Sequence, residues 1–435
     1  MRDHTNHIEL TREAAIERLI DASTFDATTE TVGLHDAHMR ATASECRSRI
    51  DVPNALCAQM DGIAVRFDDF SEGMPDTGNW QLGREYDWAN TGTALPAGFD
   101  CAIRIEQVEF DGGIGNIGVG TENPGSLRIL EAPTRRYASC KERGSNFTEG
   151  QALFPAGTRL TPAKLSVLAM CGYSEVEVVK RPRVAFIPTG DELVSPGSGL
   201  PEGKAYDSNG VLLEGKLRLW GADPVIYECI PDDWDIITQA ILRACDEADI
   251  VAINAGSSKG SKDFTMEILE QVGTVICHET NHGPGRHTSA SVVNGTPVLG
   301  LSGPPSGCEI TADWYLKPLV DWFLYGRATP SAHVKAAYDG QAQPTGGKPA
   351  KKTPDTPGAS GKGREPGKDF FGIRPVKLER ENDVLKAKPI ANGMHPDLLR
   401  LDEADGYLEL HPSAYRNLEP GDEVTVELRY PYTSL

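Results

Sequence analysis

No stretch of this 435-residue chain approaches the about 20 consecutive apolar residues that a membrane-spanning helix needs. The opening "MRDHTNHIEL" lacks the basic end and apolar core of a secretory signal, so no leader peptide is expected. Cysteine forms no pattern. The nine residues (Cys46, Cys57, Cys101, Cys140, Cys171, Cys229, Cys245, Cys277 and Cys308) are scattered, odd in number and never in CxxC spacing. That argues against a disulfide framework and points to reduced, mostly buried thiols in a cytoplasmic protein. Positive charge is also scarce: 43 Lys and Arg stand against 63 Asp and Glu, for a net charge of −20. A surface of that sign repels nucleic acid and anionic membrane, so neither is an expected partner. An anionic substrate must then be held by local dipoles and a few selected cations. What remains is a globular composition, 39% apolar and 24% charged, long enough for roughly two to four domains.

The first ~55 residues read as helical. Thr11 can cap a helix that carries Ala15, Ile16, Leu19 and Ile20 on one face. Over 60–135, "GIAVRF", "CAIRIEQVEF" and "SLRILEA" alternate apolar with polar between Gly, Pro and Asp, which predicts strands. In "RLTPAKLSVLAMCGY", Thr161, Pro162 and Gly172 delimit a further helix. From Arg181 the pattern changes. "RVAFIPTG", "PVIYECI", "DIVAINAG", "TVICHE" and "SASVVNGTPVLGLS" are strands. The helices between and after them are "DSNGVLLEGKLRLWGA", "WDIITQAILRACDEA", "FTMEILEQV" and "CEITADWYLKPLVDWFLYG". Such alternation predicts a mostly parallel, doubly wound sheet. Residues 339–369 hold no aromatic residue and no Leu, Ile, Val or Met, so the segment reads as a flexible insert: a solvated tether, or a basic docking segment. The tail from Phe370 returns to short strands that suit a small β-barrel or sandwich.

In an open parallel sheet, ligands bind beyond the carboxyl ends of the strands. Three loops fall there: "PTGDEL" (188–193), "NAGSSKGSKD" (254–263) and "SGPPSG" (302–307). With so little side chain, their backbone N–H groups can approach a phosphate-like oxyanion closely. Asp191, Glu192, Asp232, Asp233 and Asp263 lie on or beside these loops and would repel the anion unless an oxygen-seeking cation such as Mg²⁺ lay between. Taken singly, each acid also suits helix capping or solvation. "HETNH" (278–282) spells the zinc-protease motif, but it follows "TVIC" and precedes "GPG", so it lacks the helix the motif needs. Two readings remain for its histidines: loop residues beside an anion site, or incidental surface positions.

"MDGIAVR" (60–66), "NTGTALPAGFDCAIRIEQVE" (90–109), "FPAGTRLTPAKLSVLAMCGYSEVEVVKRPRVAFIPTGDELVSPG" (154–197), "YDSN" (206–209), "IPDD" (230–233) and the tail around "NGMHPDLLRLDEADGYLELHP" together resemble the molybdopterin molybdenumtransferase family, the MoeA and gephyrin E-domain group. That resemblance implies a multidomain α/β plus β architecture. An elongated helical linker domain (1–59 and 147–180) carries an inserted β domain (60–146). A three-layer α/β molybdopterin-binding domain (181–330) follows, then a Pro/Gly/Lys-rich flexible insert (331–369) and a C-terminal β-barrel-like domain (370–435). It also implies a homodimer whose cleft brings Asp61 and Thr91 of one subunit opposite Glu192 and Asp263 of the other. The implied reaction takes adenylylated molybdopterin and molybdate, uses Mg²⁺, and yields molybdenum cofactor and AMP. Molybdoenzymes that receive the cofactor would be further partners. On this resemblance Asp61, Thr91, Glu192 and Asp263 are catalytic, and Asp61, Glu192 and Asp263 hold the metal. Thr189, Gly190, Asp232, Gly256, Ser257, Ser258, Gly260, Arg286, Ser302, Gly303 and Pro305 bind substrate.

Several positions depart from the family pattern. "NAGSSKG" stands for the usual "SGG(V/I)SVG", "GPGRH" for "KPGKP", and "GLSGPPSGC" for "GLPGNPVSA", while Asn146 occupies a usually acidic position. Lys259 and Lys262 could restore one positive charge. Three readings accommodate this: drift within a working enzyme, a changed oxyanion such as tungstate or a changed pterin, and a pterin-binding carrier or scaffold without catalysis.

Overall fold

The computed structural model describes residues 8–111, 113–114, 119–122, 124–255, 265–340, 370–390, 398–411, 414 and 417–429. The chain falls into two compact units, Thr29–Val179 and Met1–Thr28 with Lys180–Leu435.

The Thr29–Val179 unit is mostly short strands. Of the ~55 N-terminal residues expected to be helical, Arg12–Ala22 of the other unit is the only α-helix among the described residues, with Thr11 accepting from the Ala14 N–H as its cap. Thr29–Gly33 instead pairs antiparallel with Glu175–Val179. The reason lies in the partner strand and not in an apolar period: Val32, the lone large apolar residue of "TETVG", is partly buried and packs with Val176 and Val178. The helix Pro162–Met170 forms as expected, although Thr161 makes no side-chain cap bond. A three-stranded sheet follows the order Asp87–Ala89, Gly62–Val65, Cys101–Arg104. Its core gathers Ile63, Val65, Tyr86, Ile103, Phe110 and Leu127. Gly62 is obligatory here, since a Cβ would lie 1.9 Å from the Ile103 carbonyl oxygen.

The larger unit contains the expected sheet. Its six strands run in the order Asp223–Ile226, Arg183–Ile187, Ile250–Ala255, Thr296–Ser302, Ser289–Val293, Thr274–Cys277. The first four are parallel, and Ser289–Val293 runs antiparallel to both of its neighbours. Ala185, Ile187, Val251 and Ile253 pack with Ile237, Ile241 and Ile268 of the helices on one face. Val184, Phe186, Ile250 and Ala252 alternate onto the opposite face and are equally buried, as a sheet covered on both sides requires. The long final helix is interrupted: Pro305–Thr311 and Lys317–Tyr325 are α-helical, with a π turn over Ala312–Leu316 between them. Pro318 explains the break, because it cannot donate within the helix and crowds the carbonyl one turn back.

The C-terminal strands close a five-stranded barrel. Around it run Phe371–Glu381, Val384–Pro389, His333–Tyr338, Glu423–Leu428 and Gly406–Leu410, the last pairing back to the first. His333–Tyr338 falls inside the stretch expected to be a flexible insert from 331, and that expectation is corrected. Ala336 and Tyr338 lie in the barrel core with Val376, Leu378, Leu408 and Val426. The Val334, Ala336, Tyr338 alternation is a strand signal too short to stand out beside the low-complexity segment. Residues 341–369 lie outside the described residues.

One half-buried ion group joins the N-terminal helix to the barrel. Arg12 contacts Glu427 at 2.9 Å and Glu409 at 3.3 Å. Burial pushes Glu409 from an ordinary 4.5 up to about 8, helped by its hydrogen bond to Glu427. Burial acts on Glu427 in the same direction, but the Glu409 hydrogen bond, Arg12 and Ser331 outweigh it and leave that carboxyl below its ordinary value. A raised folded-state pKa contributes stability that is complete below the unfolded value and lost as pH rises through the folded one. The Glu409 contribution therefore fades between pH 4.5 and about 8. Thermal unfolding of the wild type and Glu409→Gln across that window checks this: the variant gains stability relative to the wild type as pH rises, and parallel curves would refute the assignment.

Candidate functional site

The carboxyl ends of the four parallel strands define one edge of the sheet. After Ile187 the chain enters Pro188-Thr189-Gly190-Asp191-Glu192. This loop is stitched to the segment beyond the Asp223 strand: Ile230 N–H donates to Pro188 O at 3.0 Å, and Gly190 N–H donates to Ile230 O at 3.1 Å. The two segments also exchange carboxylates. Asp232 N–H donates to Asp191 Oδ1 at 3.1 Å and Asp191 N–H to Asp232 Oδ2 at 3.4 Å. Asp233 is a helix cap, accepting from the Asp235 and Ile236 N–H groups. Gly190 has φ +148°, and a Cβ there would lie 2.9 Å from Glu192 Oε2, so the exposed Glu192 carboxylate rests against the glycine. Ala205 N–H holds the Glu192 carbonyl at 2.8 Å.

Two asparagines not singled out from the sequence tie this loop to the others. Asn209 begins the helix Asn209–Trp220, and Asn254 is the penultimate residue of the Ile250 strand; both are buried. Asn209 Nδ2 donates to Asn254 Oδ1 at 3.1 Å and to Gly303 O at 2.8 Å. Thr189 Oγ1 donates to Asn254 O at 3.4 Å. A carbonyl can only accept, so the Asn209 atom facing Gly303 O is the nitrogen, and Asn254 must present its oxygen. Among the described residues Asn209 Oδ1 is then left buried without a partner. Asp207 supports the clasp by accepting from Gly210 N–H at the start of the same helix, and a Cβ on Gly210 would come within 2.4 Å of Asp207 Oδ2. A signal was present in the sequence: a polar residue ending the apolar run "DIVAIN", and "DSNG" opening a helix.

Ser302 ends the Thr296 strand, and its Oγ packs against Gly307, where a Cβ would approach it to 2.2 Å. Gly303 is held by Asn209, and Pro305 opens the helix. The structure thus gathers Thr189, Gly190, Glu192, Asp232, Ser302, Gly303 and Pro305 at one sheet edge. Asp263, Gly256, Ser257, Ser258 and Gly260, with Lys259 and Lys262, lie outside the described residues.

The turn "GPGRH" reaches the same edge, because Ser289 lies opposite Gly300 in the antiparallel ladder. Arg286 is engaged there: Nε contacts Glu279 Oε2 at 3.2 Å and a terminal nitrogen contacts Glu9 Oε2 at 3.5 Å. "HETNH" is extended over Glu279–Thr280 and His282–Gly283, which excludes a helical zinc motif. His282 is neither a surface nor an anion-facing residue. It is fully buried, with Nδ1 3.0 Å from Pro284 O and Nε2 2.7 Å from the Tyr315 hydroxyl. Burial pushes its pKa down to about 4, so it is neutral and donates from Nδ1.

Asp61 and Thr91 lie in the Thr29–Val179 unit. Asp61 Oδ1 accepts from Thr91 N–H at 2.7 Å and from Thr91 Oγ1 at 2.9 Å. Gly92, at φ +79°, lets this turn fold back so that its N–H reaches Ala58 O. The Thr91 backbone bond and then its hydroxyl hold the Asp61 carboxyl below the ordinary value of 3.8. Among the described residues no group of three or more His, Cys, Asp or Glu gathers as a ready metal site.

Residues 10–172 match a family model described as the MoeA N-terminal region (domain I and II), and residues 185–322 match one described as a probable molybdopterin binding domain. A molybdopterin molybdenumtransferase of Haemophilus influenzae is 28% identical over 322 residues, covering 72% of this chain and 77% of that protein. One from Bacillus subtilis is 28% identical over 422 residues, covering 92% and 90%. Among solved structures, a molybdopterin biosynthesis MoeA protein from Pyrococcus horikoshii has a TM-score of 0.73 at 25% identity, covering 98% of this chain and 100% of that one.

Two outcomes check this geometry. In Thr91→Ala the Asp61 carboxyl, followed by carbon-detected NMR, should titrate higher than in the wild type yet stay below 3.8, because the larger backbone contribution survives. Asn209→Leu should cost about 1–3 kcal/mol of stability by chemical denaturation, since two acceptors lose their donor; an unchanged midpoint would show that the clasp holds nothing.

Proposed function

The chain belongs to the MoeA family of molybdenum cofactor biosynthesis, and from that premise we propose that it inserts molybdenum from molybdate into adenylylated molybdopterin with release of AMP. The observation that carries the reading is the Asn209 clasp. It ties Thr189, Asn254 and Gly303, at the carboxyl ends of three parallel strands, and among the described residues leaves a buried acceptor, Asn209 Oδ1, that suits an N–H of a bound heterocycle. Residues 256–260 and 302–305 would hold the phosphate or pyrophosphate through backbone N–H groups.

Mg²⁺ fits the donor chemistry, since Asp61 is held as a carboxylate and Glu192 presents an exposed one. Asp61, Glu192 and Asp263 would hold it, and it would neutralise charge on the phosphates. A carboxylate with a depressed pKa is a weak base, so Asp61 serves as a ligand and charge partner better than as a proton acceptor. Thr91 orients it. The remaining work is positioning and charge neutralisation, which need no covalent nucleophile. A cytoplasmic homodimer completes the reading, with Asp61 of one protomer serving the loops of its partner. Molybdoenzymes that take up the product are its downstream partners.

A second reading, a carrier or scaffold that binds the pterin without turnover, is favoured by one observation: Arg286 is already paired with two carboxylates and is not a free cation for an oxyanion. Purified protein given adenylylated molybdopterin, molybdate and Mg²⁺ separates the two. The enzyme reading expects AMP release that Asp263→Asn abolishes while pterin binding persists. Stoichiometric pterin binding with AMP at background overturns it in favour of the carrier. Replacing molybdate with tungstate in the same assay tests the choice of oxyanion.

A further inference from the structure

Neither family model extends beyond residue 322, so the barrel built from Phe371–Glu381 and its neighbours carries no assigned role. Four charged side chains connect it to the sheet edge. Lys216 lies 2.8 Å from Asp313 and 3.5 Å from Glu309, and Glu309 in turn pairs with Arg429, which follows the last barrel strand. The side chains of Lys216, Glu309, Asp313 and Arg429 are only 4%, 5%, 6% and 4% exposed. Each pair joins opposite charges whose side chains are almost completely buried. Such a group contributes less to net stability than to register, because any slippage strands a charge in low dielectric.

Lys216 and Glu309 sit on the two helices next to the site loops, and Asp313 lies in the π turn that follows the second. Lys216 is two turns along from Asn209 on the buried face of the helix Asn209–Trp220. Glu309 is in the helix Pro305–Thr311, just after Gly307, on which Ser302 packs. Arg429 is itself fixed in the barrel region. Its N–H donates to Asp405 O at 2.9 Å, and its guanidinium donates to Leu401 O in the helix Leu398–Asp402.

We propose that Arg429 is a positioning residue for the loops at the carboxyl edge, and that the C-terminal barrel acts on the site through its pairing with Glu309. Loss of the guanidinium takes the barrel's charge partner from the buried Glu309 carboxylate, and the helix that carries Glu309 must shift with its neighbour to relieve it. The Ser302–Pro305 loop and the Asn209 clasp move with them. The inference rests on reading that edge as the substrate site.

Amide hydrogen exchange on the full-length chain tests the positioning without needing activity. In Arg429→Met, peptides spanning 209–220 and 302–316 should exchange faster by roughly tenfold or more, while the barrel strand Phe371–Glu381 keeps its wild-type protection. Arg429→Lys should restore part of the protection. In the AMP-release assay the same variant should raise KM for the adenylylated pterin by about fivefold or more with kcat within about twofold. Unchanged exchange at 209–220 and 302–316 overturns the proposal, as does a uniform rise across the whole chain. If the wild type releases no AMP, the substrate reading fails while the exchange comparison still decides the positioning. Should Arg429→Met not fold, Arg429→Lys carries the comparison: a smaller rise in exchange at 209–220 and 302–316 is expected, and unchanged exchange there overturns the proposal.

Discussion

One amide nitrogen holds the candidate site together. Asn209 Nδ2 donates to both the Asn254 side chain and the Gly303 carbonyl, and the Asn254 carbonyl takes the Thr189 hydroxyl. Loops built from Gly, Ser, Thr and Pro cannot fix themselves by side-chain packing. They have little to bury, and their backbone is free to move. An amide with two N–H donors placed beneath them, on the buried first residue of the helix Asn209–Trp220, supplies the missing restraint. That donor also explains why a polar residue can end an otherwise apolar strand at no net cost: its polar atom is matched.

The same logic of backbone restraint governs the other half of the candidate chemistry. Asp61 immediately precedes a short strand that approaches its neighbour so closely that only glycine fits at position 62. The turn at Thr91 is pinned to Ala58 on both sides, through Gly92 N–H and the Thr93 carbonyl. The carboxylate is therefore presented by rigid backbone, and its charge is stabilised by an N–H rather than by a neighbouring cation. This suits a protein with a net charge of −20, in which cations are few and several of those near the site are already paired.

Charge pairing in the interior follows a division of labour. Exposed pairs such as Arg218 with Glu214 lie along one helix and contribute about 0.3–0.5 kcal/mol each. The nearly buried set of Lys216, Glu309, Asp313 and Arg429 joins separate elements, where geometry rather than net energy is at stake. Arg12 with Glu427 and Glu409 does the same between the N-terminal helix and the barrel.

Periodicity and punctuation in the sequence were enough to place the α/β sheet, the flanking helices, the edge loops after Ile187 and Ser302 and the closing β domain, while the loop expected after Ala255 lies outside the described residues. Apolar alternation and helix stripes are local signals, and each strand carried its own. The HExxH spelling could be set aside for the same reason: its flanks were extended. Local signals failed where two segments far apart share one ladder. Thr29–Gly33 became a strand because Glu175–Val179 lies beside it, and His333–Tyr338 because the barrel needed a member to close. The composition hinted at few cations, but only folding revealed that Arg286 is held by Glu9 and Glu279, and that Arg429 meets Glu309. Residue types and spacings along a chain determine which secondary elements can form and which loops lack side chains. Which amide reaches which carbonyl, and which charges lose their water together, depends on elements hundreds of residues apart being brought within a few ångströms. Packing alone decides that.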